Sequence, residues 1–406
     1  MIDGTGADPQ PDTTVLLAHG KVAAVVPSRN GSGLPNESEV ERIDLHGMFV
    51  TPGLIDCHVH LTGVDLNAAR RDAFRKYIEP YASVRILRAA TEANRLLRAG
   101  YTTVRHLGHG DPAHAQALKQ AIKEGLVAGP RMFTCGWAMS QTGGHGNLRT
   151  WPYDLVETLR PRSSFCDGVD ACRKFVRRQV GDGAEWIKIY TTEGVVPTPD
   201  RQIDFPNYTL AEVDAITDEA HRLGARVAAH ATALEGAKTA VVGGVDTLEH
   251  GPHAPDEDLL DLLKANATAF VPTLSVFEFA ATEGRAHTPA WVADRANRWL
   301  PGRRAMANEA MRRGITVATG SDTARYPGGG RNAMEMTALV NAGLTPLQAV
   351  TSATSSAAKA LRIDDAGALV PGRRADLVVL GRDPIRDISA FLDPGAIRLV
   401  VKSSTC

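Results

Sequence analysis

Two histidines separated by one residue end a short apolar run, "LIDCHVH", in which Val59 lies between His58 and His60. Successive side chains of a β-strand point to opposite faces, so residues two apart share a face. If the run is a strand, both imidazoles point the same way and could bind one divalent cation. The pair alone is a weak signal, because polar residues end many strands that bind nothing.

Three more residues of the same chemical kind follow other apolar runs. His230 ends "RVAAH", His250 ends "TLEH", and Asp322 follows "ITVATG". The carboxyl ends of parallel strands lie at one edge of their sheet, so these side chains are expected near the first pair. Imidazole and carboxylate groups together are ligands of zinc and similar divalent metals. The chain has only 13 histidines, so four of them at such ends are poorly explained by chance.

The run "EWIKIYTTEG" places a lysine among apolar residues. Strand alternation puts Lys188 on the same face as Trp186 and Tyr190. If both faces are covered, an unpaired ammonium costs on the order of several kcal/mol, which favours the neutral amine. A neutral amine can add carbon dioxide and become a carbamate, which can bridge two metal ions. The alternative is a lysine paired with a carboxylate, but the metal-type ligands nearby favour the carbamate.

Eight short apolar runs alternate with segments of helical periodicity over residues 54–361, the pattern of βα units in a parallel sheet. In the helical segments, Gly100 suits the end of one helix, and Thr209 with Glu212 predicts a capping box at the start of another. The predicted strands are "LIDCH" (54–58), "YTTVR" (101–105), "RMFTC" (131–135), "EWIKIY" (185–190), "RVAAH" (226–230), "DTLEH" (246–250), "AFVPT" (269–273) and "ITVATG" (315–320).

Eight strand-and-helix units predict an α/β protein built on a (β/α)8 barrel, here residues 52–361. The two ends of the chain differ from this pattern. A hairpin, "VLLAHGKVAAVV", lies near the amino end, and short strands broken by Gly and Pro, such as "GRRADLVVL", lie near the carboxyl end. We expect the two ends to pair into one small β-domain beside the barrel.

The composition excludes several classes of partner. Apolar residues make up 43% of the 406-residue chain, charged residues 22%, and the formal net charge is −1. Neither sign is in excess, so neither nucleic acid nor a membrane is expected, and a small-molecule substrate fits better. Five cysteines without a CxxC pair indicate a reducing compartment. With no long apolar stretch and no signal core, we predict a soluble cytoplasmic protein, although a removed signal peptide would leave no trace.

The chain resembles the amidohydrolase superfamily, and within it the branch of prolidase-like dipeptidases, ochratoxin-hydrolysing enzymes and imidazolonepropionase-like proteins. The resemblance covers nearly the whole chain, and its motifs are highly specific in combination. They are "IDLHGMFVTPGLIDCHVHL", "GYTTVRHLG", "SQTGGHGN", "WIKIYTTEG", "VAAHATALEGAKTAVVGGVDTLEHG", "GSDT", "AGLTPLQAVTSAT" and "GRRADLVVL".

This resemblance implies a (β/α)8 TIM barrel with a small β-sandwich built from both termini, here residues 1–51 and 362–406. It also implies a site for two divalent metal ions, usually zinc. Transferred by position, His58 and His60 would hold the more buried ion, and His230 and His250 would hold the other.

The same resemblance assigns Lys188 as an N6-carboxylysine that takes its carboxyl group from carbon dioxide and bridges both ions. Asp322 would contact the first ion and handle protons. A bridging lysine argues against a true imidazolonepropionase, which the family associates with one metal and no bridge. One motif departs from the family, which usually has "VRD" after the second strand where this chain has Arg105 and His106.

The implied reaction begins with a hydroxide that bridges the ions and attacks a carbonyl. Asp322 would take the proton of this hydroxide and pass it to the leaving nitrogen. Tyr190 could donate to the developing oxyanion, with a packing aromatic as the alternative. His145, in the Gly-rich "TGGHGN", would contact the scissile carbonyl or a substrate carboxylate, with an ordinary loop histidine as the alternative.

We therefore expect hydrolysis of an amide C–N bond in a dipeptide of the Xaa-Pro type, an N-acyl amino acid or an ochratoxin-like aryl amide. Hydrolysis of a carbamate, urea or cyclic amide by the same groups is the second hypothesis. A non-catalytic barrel would lack ligands, and here all six positions are filled. We also expect a homo-oligomer. His106, His109 and His114 are interpreted as a solvated loop rather than a further metal site.

Overall fold

The computed structural model describes residues 1–28, 40–62, 82–108, 110–146, 165–194, 205–286, 288–323 and 330–403 of the chain. Seven of the eight predicted strands are present, with ends that differ from the prediction by at most two residues. The strands are β1 (Thr13–Ala18), β2 (Lys21–Pro27), β3 (Phe49–Pro52), β4 (Leu54–Val59), β5 (Tyr101–His106), β6 (Arg131–Thr134), β7 (Trp186–Tyr190), β8 (Arg226–Ala231), β9 (Thr247–His250), β10 (Ala269–Val271), β11 (Leu377–Leu380) and β12 (Ile397–Val401).

Helices separate the central strands. They are α1 (Ala82–Arg98), α2 (Pro112–Lys123), α3 (Val169–Gly181), α4 (Leu210–Arg222), α5 (Leu234–Val242), α6 (Glu257–Ala265), α7 (Leu274–Ala281), α8 (Ala290–Arg312), α9 (Met334–Asn341), α10 (Pro346–Ser352) and α11 (Ser355–Ala360). Short 3-10 helices span Glu283–Ala286 and Ile388–Leu392. Of the helices in the described ranges, none has the length and apolar character needed to cross a bilayer.

Two predicted helix ends are confirmed. Gly100 follows α1 with a φ of 92°, a left-handed conformation that glycine adopts without strain. The Thr209 side chain accepts a hydrogen bond from the backbone of Glu212, and the Glu212 carboxylate accepts one from the backbone of Thr209. This reciprocal pair fixes the first residue of α4.

Two parallel sheets form the centre of the fold. One contains β4, β5 and β6, and the other contains β7, β8, β9 and β10, each in chain order. Parallel strands joined through helices give an α/β fold of the TIM-barrel type. Isolated parallel bridges extend the two sheets and join Cys135 to Trp186, Phe270 to Val317, and Val59 to Thr323.

The predicted eighth strand, residues 315–320, differs from the other seven. Its only bridge among the described residues joins Val317 to Phe270. The Thr319 N–H donates to the carbonyl of Ser352, at the end of α10, whereas the Thr319 carbonyl accepts from Cys57. Two further backbone hydrogen bonds join Phe270 of β10 to Thr316 and Ala318. The segment thus shares its backbone hydrogen bonds among β10, β4 and a helix end, and it forms only an isolated bridge with β10.

Both faces of β7 are covered. Ile187 and Ile189 belong to the main hydrophobic cluster, which also contains residues of the surrounding helices. Trp186 belongs to a second cluster together with Ala228 of β8 and Val271 of β10. Lys188, which shares the face of Trp186, therefore lies in the environment that the sequence predicted for it.

Strands from both ends of the chain share one antiparallel sheet, in which β11 lies between β3 and β12. The β1–β2 hairpin meets the carboxyl-terminal region through an antiparallel bridge from Lys21 to Arg374. Arg131, at the start of β6, donates to Asp376 at 2.7 Å and to the Ser403 carbonyl at 2.9 Å. These contacts attach the terminal strands to the amino-terminal end of β6, away from the strand ends that carry the histidines.

Candidate active site

The carboxyl ends of the parallel strands bring the predicted metal ligands together. His58 lies in β4 and His60 directly after it, and both are buried. The Asp322 carboxylate lies 2.9 Å from Nε2 of His60 and 3.5 Å from Nε2 of His58. One ligand atom from each of these three residues lies within 4.8 Å of the other two. This spacing suits a single cation.

The other two predicted histidines adjoin this group. The ring centroids of His58 and His250 are 5.1 Å apart, and those of His250 and His230 are 4.6 Å apart. All three rings are buried. The imidazoles of β4, β8 and β9 therefore form a continuous row, long enough for a second cation beside the first.

Hydrogen bonds to the second ring nitrogen orient three of the four imidazoles. Nδ1 of His58 contacts Glu249 at 2.7 Å, Nδ1 of His60 contacts the Gly108 carbonyl at 3.1 Å, and Nδ1 of His250 contacts the Thr273 hydroxyl at 2.7 Å. The carboxylate and the carbonyl only accept, so Nδ1 of the first two rings is the donor and Nε2 keeps its lone pair. Such partners fix the tautomer of histidines that bind metals.

A buried ion pair that the sequence analysis missed supports His58. Besides accepting from His58, Glu249 pairs with Arg105 at 2.7 Å, and both side chains are fully buried. The Arg105 Nε donates to the Cys57 carbonyl at 2.6 Å, and its guanidinium lies over the Trp186 ring at 4.2 Å. The sequence did contain a signal for this pair, because the predicted strands "YTTVR" and "TLEH" carry charged residues of opposite sign, Arg105 and Glu249.

The expectation for His106 was wrong. This histidine is buried at the end of β5, where its Nδ1 accepts from the Leu61 backbone at 3.1 Å and its Nε2 contacts the Thr62 hydroxyl at 3.1 Å. It therefore braces the two residues that follow His60. His114 is half-buried in α2, and His109 lies outside the described residues.

Lys188 is buried, and its Nζ has no hydrogen-bond partner within the part of the chain that the structure describes. Burial lowers the pKa of its amine to about 8, against the opposing influence of the Glu249 and Asp322 charges. The alternative interpretation, a lysine bonded to a carboxylate, finds no such contact among these residues.

His145 and Tyr190 lie beside the row of imidazoles. The His145 ring stacks on His230 at 4.4 Å, and its centroid is 4.6 Å from that of Tyr190. A Cβ atom at Gly194 would lie 2.2 Å from the His145 ring, so glycine is needed there for the ring to fit. All eight predicted site residues therefore lie in one group, although the sequence did not predict which partners hold them.

Left-handed backbone occurs at two of these residues and at a neighbour. The φ angles are 71° at His250, 52° at Asp322 and 49° at Thr273, a conformation that residues other than glycine adopt at a cost. The buried Arg303 of α8 donates to the His250 carbonyl at 3.0 Å. Sequence reasoning missed Arg303 because α8 begins forty residues after His250 and carries no motif.

The buried rings favour the neutral state. Burial, with a further effect from the Lys188 charge, lowers the pKa of His60 to about 3. Burial also lowers the pKa of His106 to about 3 and the pKa values of His58, His230 and His250 well below the ordinary value. Neutral imidazoles can bind a cation without first losing a proton.

Comparison with known proteins decides the family, because the Amidohydrolase family profile matches residues 49–405. The chain belongs to the amidohydrolase family. It is 32% identical to the ochratoxinase of Aspergillus niger over 375 residues, which cover 86% of this chain and 74% of the relative. It is 27% identical to an imidazolonepropionase of Myxococcus xanthus over 430 residues, covering 97% and 90%.

A solved structure agrees with this assignment. The crystal structure of a Xaa-Pro dipeptidase with bound methionine in the active site has a TM-score of 0.85 and 30% sequence identity, and the match covers 99% of this chain and 96% of that one. This amidohydrolase is thus a hydrolase of C–N bonds in small molecules, from a family that typically depends on metal ions.

We expect the metal-free amidohydrolase to lose stability as the pH falls from about 7 to about 5. An unfolded histidine takes up a proton near pH 6.5, whereas burial keeps the folded rings neutral down to a much lower pH. The unfolded state therefore binds more protons below pH 6.5, and each such ring lowers the unfolding free energy by about 1.4 kcal/mol per pH unit. Urea unfolding of the chelator-treated protein at several pH values measures this slope.

Two variants serve as controls. His106→Asn removes one buried ring and should flatten the slope by about 1.4 kcal/mol per pH unit, whereas replacement of the exposed His46 by Asn should leave the slope unchanged. A free energy of unfolding that is constant between these pH values would contradict the assignment of neutral buried imidazoles.

Proposed function

We propose that this amidohydrolase uses two divalent metal ions to hydrolyse the amide C–N bond of a Xaa-Pro dipeptide, an N-acyl amino acid or an ochratoxin-like aryl amide. The observation that carries the proposal is the row of four neutral imidazoles that runs from the His60–Asp322 contact past the buried amine of Lys188. The activities named for the ochratoxinase and the Xaa-Pro dipeptidase support the substrate class.

The donor set fits two ions, with zinc as the proposed metal. His58, His60 and Asp322 offer two nitrogens and an oxygen within one ion's reach, and His230 and His250 offer two more nitrogens. Nitrogen and carboxylate ligands are those that zinc prefers. When bound, the ions would lower the pKa of a water molecule and polarise the scissile carbonyl.

Lys188 would complete the set as a carbamate. Its neutral amine would attack carbon dioxide, an N–C bond would form, and one nitrogen proton would pass to water, so that a group that is otherwise neutral or cationic becomes an anion. With a pKa of about 8, roughly a tenth of the amine is neutral at pH 7. Burial thus makes the lysine reactive towards carbon dioxide without another base.

The remaining residues would act on the substrate. The Asp322 side chain is 23% exposed and contacts His60, so it is accessible to take a proton from the attacking water and give it to the leaving nitrogen. Tyr190 would donate its hydroxyl proton to the developing oxyanion. His145, which packs against Tyr190 and His230, would hold the carbonyl or a substrate carboxylate.

The architecture around the site is part of the same proposal. We infer that the two parallel sheets and residues 315–323 close into one eight-stranded barrel, residues 52–361. Residues 1–51 and 362–406 would form a β-sandwich, supported by the β3–β11 pairing and by the cluster of Val22, Leu369, Leu377 and Val379. The homo-oligomeric state and the cytoplasmic location stay predictions of the sequence.

Lys188→Ala should abolish tight binding of two ions per chain and reduce activity, because the bridging group is lost. Short-chain carboxylic acids such as propionate should restore part of the activity by occupying the vacated space. Metal content is measured by plasma emission spectroscopy, with carbonate-treated wild type for comparison. Lys238→Ala, which removes a partly exposed lysine paired with Asp256, is the control; full metal content and activity in Lys188→Ala would refute the bridge.

A substrate panel tests the reaction. For alanyl-proline or N-benzoyl-phenylalanine we expect a kcat/KM at least about tenfold above that for phenylurea, ethyl N-phenylcarbamate or hydantoin, since a pocket built for one leaving group discriminates by at least this factor. Product formation is followed by liquid chromatography. Preference for the urea, the carbamate or the cyclic amide would support the second hypothesis from the sequence instead.

Tyr190→Phe isolates the role of one hydroxyl. If this hydroxyl donates to the oxyanion, kcat should fall by about 10- to 1,000-fold with the metal content unchanged. Tyr101→Phe is the matched control, since Tyr101 is also a fully buried strand tyrosine. An unchanged kcat for Tyr190→Phe would assign the ring to packing alone.

A further inference from the structure

Asn332, two residues before α9, is fully buried beneath the site, with 1% of its surface exposed. Its side-chain amide lies against three oxygens that belong to two separate parts of the chain. Nδ2 is 2.7 Å from Oδ2 of Asp56, 2.9 Å from Oγ of Ser321 and 3.1 Å from Oγ1 of Thr323.

The chemistry of these neighbours fixes the orientation of the amide. A carboxylate such as that of Asp56 needs a donor, so the nitrogen of the amide and not its oxygen must face it. The Ser321 hydroxyl already donates to the same Asp56 oxygen at 2.6 Å. Asn332 is therefore the donor at the centre of this network, and its Oδ1 has no hydrogen-bond partner among the described residues.

The network surrounds Asp322, whose two chain neighbours are the hydroxyl residues that Asn332 contacts. Asp322 has a φ of 52°, a conformation that costs about 1–3 kcal/mol outside glycine and persists only where the surroundings hold it. Backbone hydrogen bonds link this segment to the two histidines, because the Asp322 N–H donates to the His58 carbonyl and the His60 N–H donates to the Thr323 carbonyl.

Asp56 links β4 to the segment that contains Asp322. One of its oxygens accepts from the backbone N–H groups of His58 and Ser321, at 3.0 and 3.1 Å. Asp56, two residues before His58, and the residues on both sides of Asp322 are thus all contacted by one buried amide. These residues adjoin the three groups that converge within 4.8 Å.

We propose that Asn332 is a positioning residue that holds Asp322 against His58 and His60 and so sets the affinity of this group for its metal ion. The inference rests on the proposed metal-dependent function. Asn332 touches neither the substrate nor the reacting atoms. It acts by keeping the strained Asp322 backbone in the one conformation that directs the carboxylate towards both rings.

Metal affinity tests the proposal. Metal-free wild type and Asn332→Ala are titrated with Zn²⁺ in competition with a chromophoric chelator, which gives the dissociation constants of the two ions. In the variant, one constant should weaken by about 10- to 100-fold, the usual effect of removing a group that orients a ligand. The other constant, which depends on His230 and His250, should stay within about threefold of wild type.

Two further variants separate donation from packing and from stability. Asn332→Leu keeps the number and branching of the side-chain heavy atoms but cannot donate, so it should weaken the same constant at least as much as Asn332→Ala. Thr217→Val removes a buried 2.6 Å hydrogen bond from Thr217 in α4 to the carbonyl of Gly243, which follows α5. It should lower the melting temperature and leave both constants unchanged.

Normal zinc affinity in Asn332→Leu, or constants in both Asn332 variants within about threefold of wild type, would overturn the role of Asn332. If neither variant folds, Thr323→Val removes one contact of the amide and should still weaken the same constant, while an unchanged constant would again overturn the role. These constants are measurable whether or not any panel substrate is cleaved. Failure of the wild type to bind zinc would instead refute the metal-dependent function itself.

Discussion

Several basic side chains are buried side by side in this site, and burial lowers the pKa of each of them. A row of imidazoles and one lysine amine share a region from which water is excluded, where each added proton would meet both a desolvation cost and the repulsion of its neighbours. The same burial that makes protonation unfavourable leaves lone pairs available. Metal binding and carbamate formation both need those lone pairs. Burial in the surrounding core therefore makes both reactions possible.

Each imidazole of such a site needs a hydrogen-bond partner that fixes its tautomer. A neutral imidazole has one N–H and one nitrogen with a lone pair, and the lone pair must face the metal ion. Glu249, the Gly108 carbonyl and Thr273 each occupy Nδ1 of a different ring. Glu249 in turn is held by Arg105, so one buried ion pair orients His58 without leaving either charge unpaired. The predicted metal ligands are thus part of a larger set of polar contacts that extends across the strands.

The sequence predicted the ligands well because strand alternation and the ends of parallel strands are local properties. "HVH" had to place both rings on one face, and Lys188 had to share the face of Trp186. Residues that act from a distance could not be predicted in this way. Asn332 meets Asp56 across 276 positions of the chain, and only the tertiary structure determines that meeting.

The errors have the same origin. His106 follows an apolar run and resembles a loop residue, yet the turn after His60 folds back over it and buries it. Residues 315–320 have the composition of a strand, but their backbone hydrogen bonds are shared among β10, α10 and β4. In both cases a distant segment supplied the partner, and no periodicity within the run could indicate it.

The pairing of β3 with β11 has a consequence for synthesis of the chain. Pro52, two residues before the strand that carries His58, is paired with Leu377, which is synthesised 377 − 52 = 325 positions later. Chains emerge at roughly 5–20 residues per second, so the edge of β3 stays open for tens of seconds while the rest of the protein is made. During that interval β3 has an open edge, and such an edge is a template for pairing with another chain. We therefore expect the nascent protein to need protection from aggregation until β11 has been made.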